Sequence, residues 1–150
     1  MKILIRARII VIVLLAILPA LTDAQDGNTP PVVINGISLP GNFPDFSPTI
    51  NEETAPGKIF ITNSEGAPHL MILENDGTPY FYQQLDEPSL DFKLQTNGML
   101  SSWIGGDERG YMVMDQHFQN VDTLRCMNGF GTDEHEFLLL QNGHALLIAI

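Results

Sequence analysis

The sequence predicts an all-β protein made of short antiparallel hairpins, and three observations lead there. From Gly57 onward, apolar residues come in short alternating or continuous runs, each closed by a turn dipeptide: Asp76-Gly77, Asn97-Gly98, Asn128-Gly129 and Asn142-Gly143. Asp-Gly and Asn-Gly suit the positive φ angles of two-residue hairpin turns. No stretch after the first 25 residues carries a 3.6-residue apolar period, so helices are not expected. At 150 residues and 44% hydrophobic the chain makes one domain at most, and a single Cys excludes a disulfide-stapled scaffold.

Taken in order, the chain opens with an address. Lys2, Arg6 and Arg8 precede an unbroken apolar run from Ile9 to Leu18, Pro19 breaks it, and Thr22-Asp23-Ala24 offers a small residue at a cut. This is the three-part pattern of a secretory signal peptide, so residues 1–24 are expected to be removed and the mature chain exported to the periplasm or beyond the cell. The apolar stretch 9–21 is 13 residues, short of the roughly 20 a spanning helix needs, so no stable membrane anchor is expected after cleavage. Four basic and seventeen acidic residues remain beyond Ala24, a formal charge of −13, which argues against nucleic acid as a partner. Cys126 would then be a lone thiol in an oxidising compartment, best read as a small buried hydrophobe.

Residues 25–56 hold Pro30, Pro31, Pro40, Pro44, Pro48 and Pro56. They read as a lead-in running extended over a surface, with at most one edge strand. In the remainder, 57–150, strands are predicted at 58–62, 69–74, 79–85, 91–95, 99–104, 111–115, 121–125, 136–140 and 144–150. A repeat runs through them. Asp91-Phe92-Lys93-Leu94-Gln95-Thr96-Asn97-Gly98 matches Glu136-Phe137-Leu138-Leu139-Leu140-Gln141-Asn142-Gly143 at an offset of 45, and Ile72-Leu73-Glu74 echoes Val113-Met114-Asp115 at 41. Four strands every 40 to 45 residues is the period of β-propeller blades. Only about two such blades fit, and Leu146-Leu147-Ile148-Ala149-Ile150 runs apolar to the last residue, so the chain is expected to be the first part of a longer, incomplete propeller.

The densest ionisable cluster is Thr132-Asp133-Glu134-His135-Glu136, just before an apolar strand. If it is already extended, Asp133, His135 and Phe137 share one face and Glu134 and Glu136 the other. A carboxylate beside a histidine favours the imidazolium and fixes the ring, which suits His135 to bind an anion or to protonate a leaving oxygen. The other readings are a solvated strand end whose acids protect an edge, and a metal site with Asp133 and His135 as two ligands. No further residues have ligand spacing, so no metal is expected. His69, His117 and His144 read as turn or strand-end residues, Tyr80, Phe81, Tyr82, Trp103 and Tyr111 as packing aromatics, and Arg109 as a loop charge. Phosphate loops, nucleophile elbows and dinucleotide fingerprints are missing, and no cofactor is expected.

The strings Leu70-Met71-Ile72-Leu73-Glu74-Asn75-Asp76-Gly77-Thr78-Pro79-Tyr80-Phe81-Tyr82, Asp91 to Gln95 with Asn97-Gly98, and Gly131-Thr132-Asp133-Glu134-His135-Glu136-Phe137 with Asn142 to Leu147 occur in that order. Together, over about residues 45–150, they resemble the N-terminal part of the bacterial arylsulfotransferase family. The resemblance implies an exported six-bladed β-propeller that moves a sulfuryl group from a phenolic sulfate ester to a phenol acceptor, through a transiently sulfated histidine and without a nucleotide donor. It also implies that His135, in the family's Asp-x-His motif, faces the central channel and helps hold the sulfate, with Asp133 beside it. The nucleophilic histidine, a second supporting histidine and a sulfate-binding arginine would lie in later blades, beyond Ile150. The alternatives are a non-catalytic propeller that binds other molecules and a structural cell-surface protein.

Overall fold

The computed structural model describes residues 29–49, 52, 54–63 and 65–150; the predicted leader lies outside them. They form eleven strands in four antiparallel sheets. A hairpin of β1 (Val32–Ile34) and β2 (Ile37–Leu39) comes first. A three-stranded sheet follows, of β3 (Ile59–Thr62), β4 (His69–Leu73) and β5 (Pro79–Gln84). The four-stranded sheet holds β6 (Ser89–Leu94), β7 (Leu100–Ile104), β8 (Gly110–Met114) and β9 (Asn120–Leu124). The last is the pair β10 (Thr132–Leu139) and β11 (Ala145–Ala149). Every sheet keeps sequence order. Among the described residues no helix is long and apolar enough to cross a membrane.

Alternation explains how the sheets stack. On β8, Met112 and Met114 turn toward Leu70 and Ile72 of β4 and Phe92 of β6, while Tyr111 and Val113 turn the other way, onto Phe137 and Leu139 of β10. β4 repeats the pattern, with Leu70 and Ile72 facing the four-stranded sheet and Met71 and Leu73 facing Ile34, Leu39 and Phe43 of the lead-in. Each central strand is therefore buried on both faces, and the four sheets pack face to face in chain order. The 45-residue offset aligns β6 with β10, each opening its sheet, and the 41-residue offset aligns β4 with β8.

Two expectations change. The lead-in holds a hairpin where at most one edge strand was expected. Asn35 and Gly36 (φ 47° and 81°) make a two-residue turn between Ile34 and Ile37, and the prolines bracket the hairpin at Pro31 and Pro40, sparing its ladder. The other turns are longer than two residues. Glu74 receives Gly77 N–H at 2.9 Å and donates to Thr78 at 2.8 Å, and the same pair of bonds recurs at Gln95, Asp115 and Leu140. Each loop thus has three residues, with the third left-handed: Gly77, Gly98 and Gly143, but Phe118 in the β8–β9 loop. A type I turn followed by a left-handed residue gives this geometry. Asn128-Gly129 (φ 62° and 87°) turns between β9 and β10, which belong to different sheets and do not pair.

Candidate functional site

β10 enters its sheet at Thr132, which is buried, and whose carbonyl accepts the Trp103 indole N–H at 3.3 Å. The ladder then breaks. Thr132 pairs with Ala149 and the next pair is Phe137 with Leu147, so residues 133–136 stand opposite Ile148 alone. The extra residues bow out of the strand as a bulge, and the face of the strand is exchanged across them. That overturns part of the expected alternation: Phe137 is fully buried and stacks on Tyr111 (ring centroids 4.6 Å, 16°), whereas His135 projects into solvent.

Asp133 and His135 do meet, as the sequence suggested. Asp133 Oδ1 accepts the His135 backbone N–H at 2.9 Å and the ring Nδ1–H at 2.8 Å. The His135 side chain is 75% exposed against 14% for Asp133, so a sheltered carboxylate holds an open ring and leaves Nε2 as the outward nitrogen. The backbone amide of His135, then its ring, pull the Asp133 carboxyl below the usual carboxylate range. The Asp133 bond, then the charges of Asp133 and Glu134, raise the imidazole above the ordinary histidine value. A ring so held favours its charged form, which can meet an anion or give up a proton at Nε2. Among the described residues Asp133, Glu134 and His135 bring potential metal-ligand atoms within 4.8 Å of one another, a grouping that consecutive residues in a bow adopt with or without an ion.

Behind the bow lies a group that the sequence did not single out. Lys93 of β6 contacts Asp91 at 2.9 Å and forms an ion pair with Glu136. Burial opposes the Lys93 charge, but bonds to Glu136 and Asp91 raise it above the ordinary lysine value, and the Lys93 bond lowers Glu136. Tyr111 is fully buried with its hydroxyl unbonded, and burial, then the Asp91 charge, push the phenol up. The signal for this group was the alignment of Asp91 with Glu136 in the repeat, with a lone lysine two residues after Asp91.

The remaining candidates find their contacts elsewhere. His69 is buried at the start of β4, with Nδ1 on the Ala67 carbonyl at 2.8 Å and its ring edge-on to Phe43. His117 lies in the β8–β9 loop and His144 follows the β10–β11 loop, both exposed. Tyr80 carries Lys58 over its ring at 3.9 Å, Phe81 stacks on Phe118, and Tyr82 packs against Phe43. Arg109 is exposed between β7 and β8. Cys126 is half-buried, its thiol 3.7 Å from the Ile148 carbonyl. An open groove of about 430 Å³ runs between Phe46, Ile61, Asn63 and Met71, and its lining does not include His135. Comparison with protein-family models, with curated proteins and with solved structures finds no match.

Proposed function

We propose that this chain is the N-terminal part of an exported aryl-sulfate sulfotransferase, and that its stacked sheets are the first blades of a β-propeller. The observation that carries the reading is the outward imidazole of His135, bonded through Nδ1 to the sheltered carboxylate of Asp133 at 2.8 Å. Support comes also from the ordered strings that resemble the arylsulfotransferases and from the sequence repeat at offsets of 41 and 45 residues, close to the blade period. In this reading a histidine in a later blade attacks sulfur, the bond from sulfur to the phenolic oxygen breaks, and a phenolate leaves. The His135 imidazolium steadies the sulfate oxygens or gives its Nε2 proton to that phenolate. A second phenol then takes the sulfuryl group from the sulfated histidine and loses its proton. A chain of net charge −13 after the leader repels sulfate esters in general, so imidazolium and guanidinium groups must concentrate at the site.

The test is incubation of the full-length protein with 4-nitrophenyl sulfate and phenol. The reading expects nitrophenolate release dependent on phenol, and a histidine carrying one extra SO₃ by mass when phenol is omitted. Absence of both in a folded protein returns the chain to the binding-module reading.

A further inference from the structure

The bow that carries Asp133 and His135 is not held by its own sheet, because residues 133–136 have no ladder partners on β11 beyond the single Ile148 opposite them. What reaches it comes from β6. Lys93 meets Asp91 of its own strand and Glu136 of β10, the residue next to His135. Asp91 sits at φ 51°, where the register of β6 against β7 also breaks, between Leu90 and Lys93. One ammonium therefore joins the irregular stretches of two neighbouring strands, at equivalent places in the 45-residue repeat. Glu136 also accepts the Phe137 backbone N–H at 3.0 Å, so a pull on its carboxylate is felt where β10 rejoins its ladder.

We propose that Lys93 is a positioning residue for His135: by drawing Glu136 across to β6 it fixes the bow and leaves Asp133 as the carboxylate that holds the imidazole. The titratable groups on the packed elements are Asp91 and Lys93 on β6, Tyr111 on β8, and Asp133, Glu134 and Glu136 on β10; the described strands β7 and β11 contribute none. Lys93 is thus the one permanent cation among four carboxylates. Its pairs are partly exposed, so they add little to global stability; their effect is geometric. Without Lys93, Glu136 faces Asp91 uncompensated, the bow loosens, and the contact between Asp133 and His135 is lost for part of the time.

The inference rests on the sulfuryl-transfer reading only for its importance, and its test needs no substrate. The His135 ring is titrated by NMR in the wild type, Lys93→Met, Glu136→Leu and Lys93→Arg. Simple through-space charge would move the first two variants in opposite directions, since one removes a cation and the other an anion. Loss of a positioning tie moves both the same way: the His135 pKa falls in each toward the ordinary value of about 6.5, and Lys93→Arg restores the wild-type titration. Opposite shifts in the two variants, or an unchanged titration in folded protein, would overturn it. Glu136→Leu changes an exposed position and keeps the test available where Lys93→Met does not fold. A titration that behaves as expected beside a failed transfer assay would sink the enzymatic reading and leave this one standing.

Discussion

Replacing Tyr111 by Phe should stabilise the protein. The tyrosine is fully buried, its ring stacks on Phe137 at 4.6 Å, and its hydroxyl has no hydrogen-bond partner. A buried hydroxyl without a partner costs about 1–3 kcal/mol in mutational data. Tyr111→Phe removes that cost and keeps the ring, so the stacking contribution of about 0.5–1.5 kcal/mol is retained. The lost oxygen leaves a gap of roughly 10–15 Å³, worth about 0.3 kcal/mol at 24 cal/mol per Å³. The net expectation is a gain of about 1 kcal/mol, or about 4 °C in Tm for a domain of this size. Urea unfolding followed by the fluorescence of Trp103, the single tryptophan, measures it, with an unchanged denaturant slope showing that the unfolded state is unaltered. A loss of 1 kcal/mol or more would refute the reasoning and mean that the phenol donates to Asp91.

Three further outcomes follow from the same packing. Gln95→Leu should cost about 2–4 kcal/mol, because the buried amide bonds Ser101 Oγ at 2.7 Å, the Phe137 carbonyl at 3.2 Å and the Leu139 N–H at 2.8 Å, and its loss strands backbone groups between sheets; urea unfolding reads this. Gly143→Ala should cost about 1–2 kcal/mol for its left-handed backbone alone, and Gly77→Ala measurably more, since a Cβ there would lie 2.7 Å from Pro48 Cγ whereas none is crowded at Gly143. The pair of Asp133 and His135 should give stability its own pH profile. Asp133 is lowered, so its contribution is present above about pH 4 and lost as pH falls through the lowered value. His135 is raised, so its contribution is present below about pH 6.5 and lost as pH rises through the raised value. Asp133→Asn should therefore lower Tm most between those limits and converge with wild type as pH falls through the lowered Asp133 value. A smaller deficit should remain above the raised His135 value, where the backbone N–H of His135 still bonds the carboxylate; a difference independent of pH would contradict the pairing.

Much of the fold was legible because sheet burial writes itself as alternation. Tyr111 to Met114 reads as a strand, and its two faces prove to be the two faces of the stack. Turn dipeptides marked the chain reversals but not their length, since a glycine in the left-handed region serves two-residue and three-residue loops alike. Phe118 could not be read as the counterpart of Gly77 at all: it accepts a left-handed backbone while its ring packs on Phe81, and only the assembled core makes that tolerable. The hairpin at Asn35-Gly36 was visible as a dipeptide but was masked by the surrounding prolines. At the site, Asp133 and His135 were found because they are two residues apart. The bow was not, because a bulge depends on the register of the partner strand, and the reach from Lys93 to Glu136 spans 43 residues and exists only once two sheets have stacked.

The central claim is that His135, held by Asp133, serves sulfuryl transfer. It is tested most directly by the rate of transfer from 4-nitrophenyl sulfate to phenol in the full-length protein and its His135→Ala and His144→Ala variants. Loss of a positioned imidazolium should lower the rate by on the order of 10² or more in His135→Ala, with much less change in His144→Ala, and sulfated enzyme should still form slowly, since the proposal assigns the attack on sulfur to a histidine of a later blade. Unchanged kinetics in a correctly folded His135→Ala protein would contradict the account and leave this histidine as a solvated residue on a strand bulge.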